Sequence, residues 1–155
     1  MVSPELLRRY PVFSQLNEDH LISIAMITEE INVPAGDILF EEGQPADYLY
    51  LLETGSVDLT FKSEEKFRPE SKKVFPVGEI NPGELFGISA VLEPYIYTAS
   101  EHTSQESKAL KIDATGVRAM MKDDPGAGYI FMSQVAKAIM ERLTYTRIQL
   151  AAAWA

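Results

Sequence analysis

Gly83-Glu84-Leu85-Phe86-Gly87-Ile88-Ser89-Ala90-Val91-Leu92-Glu93-Pro94-Tyr95-Ile96-Tyr97-Thr98-Ala99 decides how the rest of this chain is read. Glycines at 83 and 87 bracket Glu84-Leu85-Phe86, and a tight glycine turn lets backbone come close to a ligand. A short helix starting near Phe86 or Gly87 aims free N–H groups and the positive end of its dipole at an anion. Thr98 adds a hydroxyl donor at the far end of the stretch.

Outward from this stretch, short strands recur between turn residues. From about Glu29 to Ile112 the pattern reads Ile31-Asn32-Val33, Asp37 to Phe40, Tyr48 to Leu52, Val57 to Phe61 and Val74 to Ile80. Tyr97 to Thr103 and Ala109 to Ile112 supply the last two. Pro34-Ala35-Gly36, Glu42-Gly43 and Thr54-Gly55 fall between strands, and Lys62 to Lys73 is a mostly charged, solvated hairpin excursion. Regular short strands of this kind predict an all-β sandwich or barrel, of which the eight-stranded jelly roll is one form. Two short helices precede it. Ser3 to Arg9 carries its cap at Ser3 and a proline at its first position, and Asn17 to Ile27 is capped by Asn17 or Ser14. Ala114 to Lys122 comes next as an amphipathic helix with Val117, Met120 and Met121 on one side, stopped at Asp124-Pro125-Gly126. A long proline-free helix then runs from about Ala127 to Ala153. The expectation is one domain, mainly β with flanking helices: a helical lead-in over 1–28, a jelly roll over 29–113 and C-terminal helices over 114–155.

Taken in order, these elements resemble the cyclic-nucleotide-binding domain family, of the type found in the sensory domain of catabolite activator protein. The lead-in Pro11-Val12-Phe13-Ser14-Gln15-Leu16, the run Gly36 to Gly43, Ala46-Asp47, Tyr50 to Leu52 and Gly55-Ser56-Val57 keep the family's spacing. The opening stretch resembles its phosphate-binding cassette, Gly-Glu-x-Phe-Gly-Glu, a short helix and loop, then Arg-Ser/Thr-Ala. The resemblance implies a non-catalytic regulatory domain, a double-stranded β-helix that takes a cyclic nucleotide or other small anionic ligand. It places that ligand on Gly83, Glu84, Leu85, Phe86, Gly87, Ile88, Ser89, Tyr97, Thr98 and Ala99, with Tyr95 also on the pocket wall. Two positions depart from the pattern. Ile88 stands where the family has a ribose-binding Glu, and Tyr97 stands where it has a phosphate-binding Arg. Ile cannot accept from a ribose hydroxyl, and leaving that hydroxyl buried and unpaired costs roughly 1–3 kcal/mol. Tyr replaces a forked, permanently charged donor with a single neutral one. Together the two changes predict a cyclic AMP affinity lower by several decades. A guanidinium from a distant residue such as Arg118 or Arg142 reaching into the hollow would overturn the reading of a disabled site stripped of its cation.

Other chemistry is poorly supplied. The 155 residues include no cysteine, which excludes disulfides, thiolate metal sites and Cys nucleophiles. Only His20 and His102 are present, and they lie at no ligand spacing, so no metal site is expected and a cupin-type enzyme is a remote alternative. Glu41-Glu42 and Asp123-Asp124 read as solvated turns, and His20 as a surface residue. No Gly-x-Ser-x-Gly or nucleotide-binding glycine loop occurs, and no catalytic residue is expected. A net charge of −9, from 23 acidic and 14 basic residues, opposes direct contact with nucleic acid. A helix-turn-helix reader after the long helix would need about 60–80 further residues. There is neither a signal peptide nor an apolar span, so a cytoplasmic protein away from the membrane is expected. In the long helix Ile139, Leu143, Thr146 and Leu150 alternate at steps of four and three, a seam that predicts a parallel homodimer. The alternative to a ligand sensor is a domain that binds no small molecule and serves as a dimerising module for a regulatory protein partner, its pocket closed by Ile88 and Tyr97.

Overall fold

The computed structural model describes residues 1–63 and 73–155, so the expected excursion between Lys62 and Lys73 lies largely outside the described residues. Three short helices lead in. Helix α1, Pro4–Arg8, is capped by the Ser3 hydroxyl, which accepts from the Leu6 N–H at 3.3 Å. Helix α2, Pro11–Ser14, is a single turn that the sequence pattern did not separate; Pro11 starts it, and Val12 and Phe13 are buried. Helix α3, Glu18–Met26, begins one residue later than the pattern suggests, because the Asn17 side chain accepts from the His20 N–H at 2.9 Å and so stands outside as the cap.

Eight strands come next: β1 (Thr28–Val33), β2 (Ile38–Phe40), β3 (Tyr48–Thr54), β4 (Val57–Ser63), β5 (Lys73–Ile80), β6 (Leu85–Phe86), β7 (Ser100–Thr103) and β8 (Ser107–Asp113). They form two antiparallel four-stranded sheets, ordered β1-β8-β3-β6 and β2-β7-β4-β5. This is the expected mainly β jelly roll with flanking helices. Leu49, Leu51, Leu52, Leu110 and Ile112, from the paired strands β3 and β8, are fully buried, as are Val57 and Ile80, paired across β4 and β5. The expected strand from Tyr97 starts only at Ser100. Tyr97 instead spends both backbone groups on the Glu41–Gln44 turn: its N–H donates to the Gln44 carbonyl at 3.0 Å, and its carbonyl accepts from Gly43 at 2.8 Å. Strand β6 is too short to carry a periodic signal and was not anticipated.

Two helices close the chain. Helix α4, Ala114–Asp123, is capped by Asp113 and buries Val117. Helix α5, Pro125–Ala153, starts two residues before the expected Ala127, because Asp124 caps it by accepting from Gly126 and Ala127 at 3.1 and 3.2 Å and proline is favourable at a first helical position. Its 29 residues extend for about 44 Å. Ala127, Gly128, Phe131 and Val135 are buried, and Phe131 stacks on Phe13 with ring centroids 6.2 Å apart. Every residue from Leu143 to the end is exposed.

One turn glycine joins the two sheets under strict geometry. Gly55 has φ 98°, and a Cβ there would meet Ser107 Oγ at 2.1 Å and the Glu106 carbonyl at 2.7 Å. Gly55→Ala is expected to cost about 2–3 kcal/mol from unfavourable φ and contact with backbone, read as a lower midpoint in urea unfolding at unchanged slope. An unaltered midpoint would refute that geometry.

Candidate functional site

The stretch from Gly83 to Ala99 is first of all a backbone device. Gly83, at φ 89°, turns the chain so that its N–H reaches the Leu52 carbonyl at 2.7 Å, while the Glu84 carboxylate accepts from the Asn81 N–H at 3.1 Å. Leu85 and Phe86 then pair with Leu51 and Tyr50. Phe86 goes into the core, its ring 5.0 Å from that of Tyr50. Gly87 adopts φ 67°, and a Cβ there would press on Tyr50 and on the Tyr48 carbonyl at 3.1 and 3.2 Å. Beyond Gly87 the chain makes one 3-10 turn, Ile88–Val91, in place of the expected anion-directed helix; four residues align too few peptide dipoles to act as one.

Six of the ten residues expected at a site line one cavity of about 230 Å3: Gly87, Ile88, Ser89, Tyr97, Thr98 and Ala99. Gly83, Glu84 and Leu85 border a neighbouring groove against Pro11 and α5 instead. Tyr95, expected on the wall, lies elsewhere, with the Arg118 guanidinium 3.7 Å above its ring. The remaining wall comes from Leu92 of the same stretch and from residues outside it: Phe40, Leu59, Glu101, and Ile139 and Arg142 of α5. A second cavity of about 190 Å3 lies between β5 and α5, and Leu59 and Arg142 stand on the boundary of both.

The two replaced cassette side chains are packed rather than free. Ile88 is buried. The Tyr97 ring stacks on Phe40 with centroids 3.7 Å apart, and its hydroxyl donates to the Tyr48 carbonyl at 2.6 Å. Burial, above all, pushes that hydroxyl up to about 12.

The two arginines have different fates. Arg118 is committed to structure: Nε donates to the Ala90 carbonyl and Nη2 to the Ala46 carbonyl, both at 2.8 Å. Arg142 lines the cavity, which corrects the expectation of a hollow without a cation. Its Nη2 donates to the Leu85 carbonyl, tying α5 to the cassette, while its buried Nε has no partner among the described residues. Burial lowers the Arg142 pKa, and Glu101 and Glu84 work against that shift. Facing it is Glu101, 2% exposed, whose Oε2 also lacks a partner among the described residues. Burial pushes the Glu101 carboxyl up to about 8, against the pull of Arg142. Sequence reasoning missed this pair. A signal existed: the alternation along β7 places Glu101 in phase with buried Thr103, so a carboxylic acid occupies an inward position.

His20 and Asp124, expected on the surface and in a solvated turn, join instead. His20 Nε2 lies 2.7 Å from Asp124 Oδ2, bridging α3 to the start of α5. Among the described residues no three His, Cys, Asp or Glu gather as metal ligands, and no helix is long and apolar enough to cross a membrane.

With this geometry established, known proteins can be compared directly. The model of the cyclic nucleotide-binding domain matches residues 30–124, more than half of the chain, and the chain belongs to that family. It is 24% identical over 147 residues to the CRP-like cAMP-activated global transcriptional regulator of Mycobacterium tuberculosis, covering 95% of this chain and 61% of that protein. The chain thus spans about three-fifths of the length of the curated relative. A putative cyclic nucleotide-binding protein from Geobacter metallireducens superposes with a TM-score of 0.80 at 34% identity, covering 92% of this chain and 99% of that one. The regulatory subunit of a cAMP-independent protein kinase A from Trypanosoma brucei shares the fold, with a TM-score of 0.73 at 16% identity over 94% of this chain and 49% of that one.

The buried acid carries a pH signature. The folded-state pKa of Glu101, about 8, lies above the ordinary 4.5, so the folded protein keeps a proton that the unfolded chain releases. Stability from this group is therefore lost as pH rises from about 4.5 towards 8. Glu101→Gln removes that loss. Its melting temperature relative to wild type is expected to climb steadily between pH 5 and pH 8.5. Parallel curves across that range would exclude a buried protonated Glu101.

Proposed function

We propose that this chain is a non-catalytic sensing domain in which a small ligand occupies the cavity under α5 and the helix reports its presence. The observation that carries the reading is Arg142. One residue of α5 forms cavity wall and bonds the cassette backbone at Leu85, so an occupant touches the helix it must move. A ligand shifts such an equilibrium only by binding one arrangement of α5 better than the other.

Arg142 gives the cavity a cation, so the site is not disabled for anions, yet cyclic AMP in the family's ordinary pose is a poor fit at the sugar and at position 97. Ile88 offers no acceptor, and the Tyr97 hydroxyl is already committed to Tyr48. The alternative of a domain without any ligand draws on the same packing, since Tyr97 and Phe40 fill space with their own rings. Melting curves with millimolar cyclic AMP, cyclic GMP and cyclic dinucleotides separate the two. A ligand at a hundred times its Kd stabilises by about 2.7 kcal/mol. Cyclic AMP is expected to give its shift only at millimolar concentration. A full shift at micromolar cyclic AMP would refute the account of Ile88 and Tyr97.

The outlet of the signal is the free end of α5. Ile139 closes the cavity, and along the same face Leu143, Thr146 and Leu150 continue beyond the β domain; Leu143 and Leu150 are 41% and 58% exposed. A second copy of the chain in parallel register covers this stripe, so the domain acts as a homodimer. Light scattering at high micromolar concentration is expected to give twice the monomer mass, and Leu143→Asp with Leu150→Asp to return the monomer at unchanged helix content. A monomeric wild type would end the dimer proposal.

A further inference from the structure

The cavity has a chemistry of its own, distinct from the one the cassette sequence suggests. Its apolar wall is made by Phe40, Leu59, Ile88, Leu92, Tyr97 and Ile139. Arg142 and Glu101 complete the lining, and each carries a buried polar atom without a partner among the described residues, Nε and Oε2 respectively. Native proteins seldom leave such atoms unsatisfied, and a pair of them on residues that line one cavity points to an occupant that rearranges and satisfies these side chains. At about 230 Å3 the space is below the ~300–1,000 Å3 of drug-sized ligand pockets.

We propose that this cavity binds a small organic monoanion with a flat, apolar body, its charged head held by the Arg142 guanidinium and its second oxygen hydrogen-bonded to the Glu101 carboxylic acid. The proposal rests on the reading of the cavity as a ligand site and names the class of ligand. The charge balance favours an anion. With Glu101 protonated, the carboxylate facing Arg142 is Glu84, which borders the neighbouring cavities and not this one, so a carboxylate head supplies the counter-charge on the cavity side. The neutral acid can donate its proton to the second head oxygen, a short charge-assisted bond. Phe40 and Tyr97, stacked on one another and both part of the lining, give the body aromatic side chains to pack against.

The same arrangement makes binding depend on pH. The groups facing Glu101 are Arg142 from α5 and the hydroxyls of Tyr97 and Tyr50; Glu84 faces Arg142 from the turn before β6. Burial pushes the Tyr97 hydroxyl up to about 12 and the Tyr50 hydroxyl higher still, so neither ionises near neutrality. Glu101, at about 8, does. Once it ionises it takes Arg142 as its own counter-ion and repels the anion, so affinity falls as pH passes through that range.

Benzoate is the test probe, with benzyl alcohol as its neutral isostere, titrated calorimetrically into the full chain. At pH 6.5 benzoate is expected to bind at least tenfold tighter than benzyl alcohol, and at pH 9.5 to lose at least tenfold in affinity. Arg142→Gln should erase the preference for the anion, Arg142→Lys should retain part of it, and Glu101→Gln should bind benzoate with no pH dependence between 6.5 and 9.5. Circular dichroism checks that each variant is folded, and Glu101→Gln tests the proposal without removing the cation. Equal affinity for the two probes, or unchanged benzoate binding in Arg142→Gln, would overturn it. Cyclic AMP is run in parallel: stabilisation by the nucleotide without benzoate binding sinks this inference and leaves the sensing function standing, whereas silence from both defeats both.

Discussion

A carboxylic acid and a guanidinium buried against the same cavity are the constraint on which this molecule turns. Charged groups are expensive to bury, and a chain that buries two must either pair them fully or shift their ionisation. Glu101 and Arg142 are attracted to one another, yet each keeps a polar atom unpartnered among the described residues, and Glu101 retains its proton to a pH well above that of an ordinary carboxyl. The arrangement is thus incomplete as a structural ion pair. Because Arg142 belongs to α5 and also bonds the Leu85 carbonyl, the incomplete spot lies where the helix meets the cassette.

The cassette's backbone frame is held by demands that are independent of any ligand. Its glycines serve the backbone: Gly83 makes the turn into β6, and Gly87 has a positive φ at a point where a Cβ would crowd Tyr50 and the Tyr48 carbonyl. Those demands hold whatever occupies the cavity. The side chains at 88 and 97 are under no such backbone demand, and here one is buried and the other has its hydroxyl satisfied. The buried acid and cation beside the cavity instead lie on β7 and α5, elements that reach it only through the tertiary fold.

That division explains what was legible beforehand. The jelly roll could be read because turn glycines and short apolar runs are local signals, and the cassette frame because Gly83 and Gly87 are close in sequence. Capping set the helix ends: Asn17 and Asp124 pair with backbone N–H groups, and such boundaries shift by a residue or two from any periodic pattern. Tyr97 was misread as strand because its pairing is with a turn some fifty residues earlier. Arg142 was legible only as a distant candidate. It lies three positions after Ile139 on the seam side of α5, and nothing local marks it as cavity wall.

The most direct test is to watch Glu101 titrate in the intact protein, by carbon NMR of its side-chain carboxyl in wild type and in Arg142→Gln. A midpoint near 8 that moves higher when the guanidinium is removed is the predicted result. A midpoint near 4.5, unmoved by the substitution, would show that acid and cation do not share a buried cavity and would contradict the account.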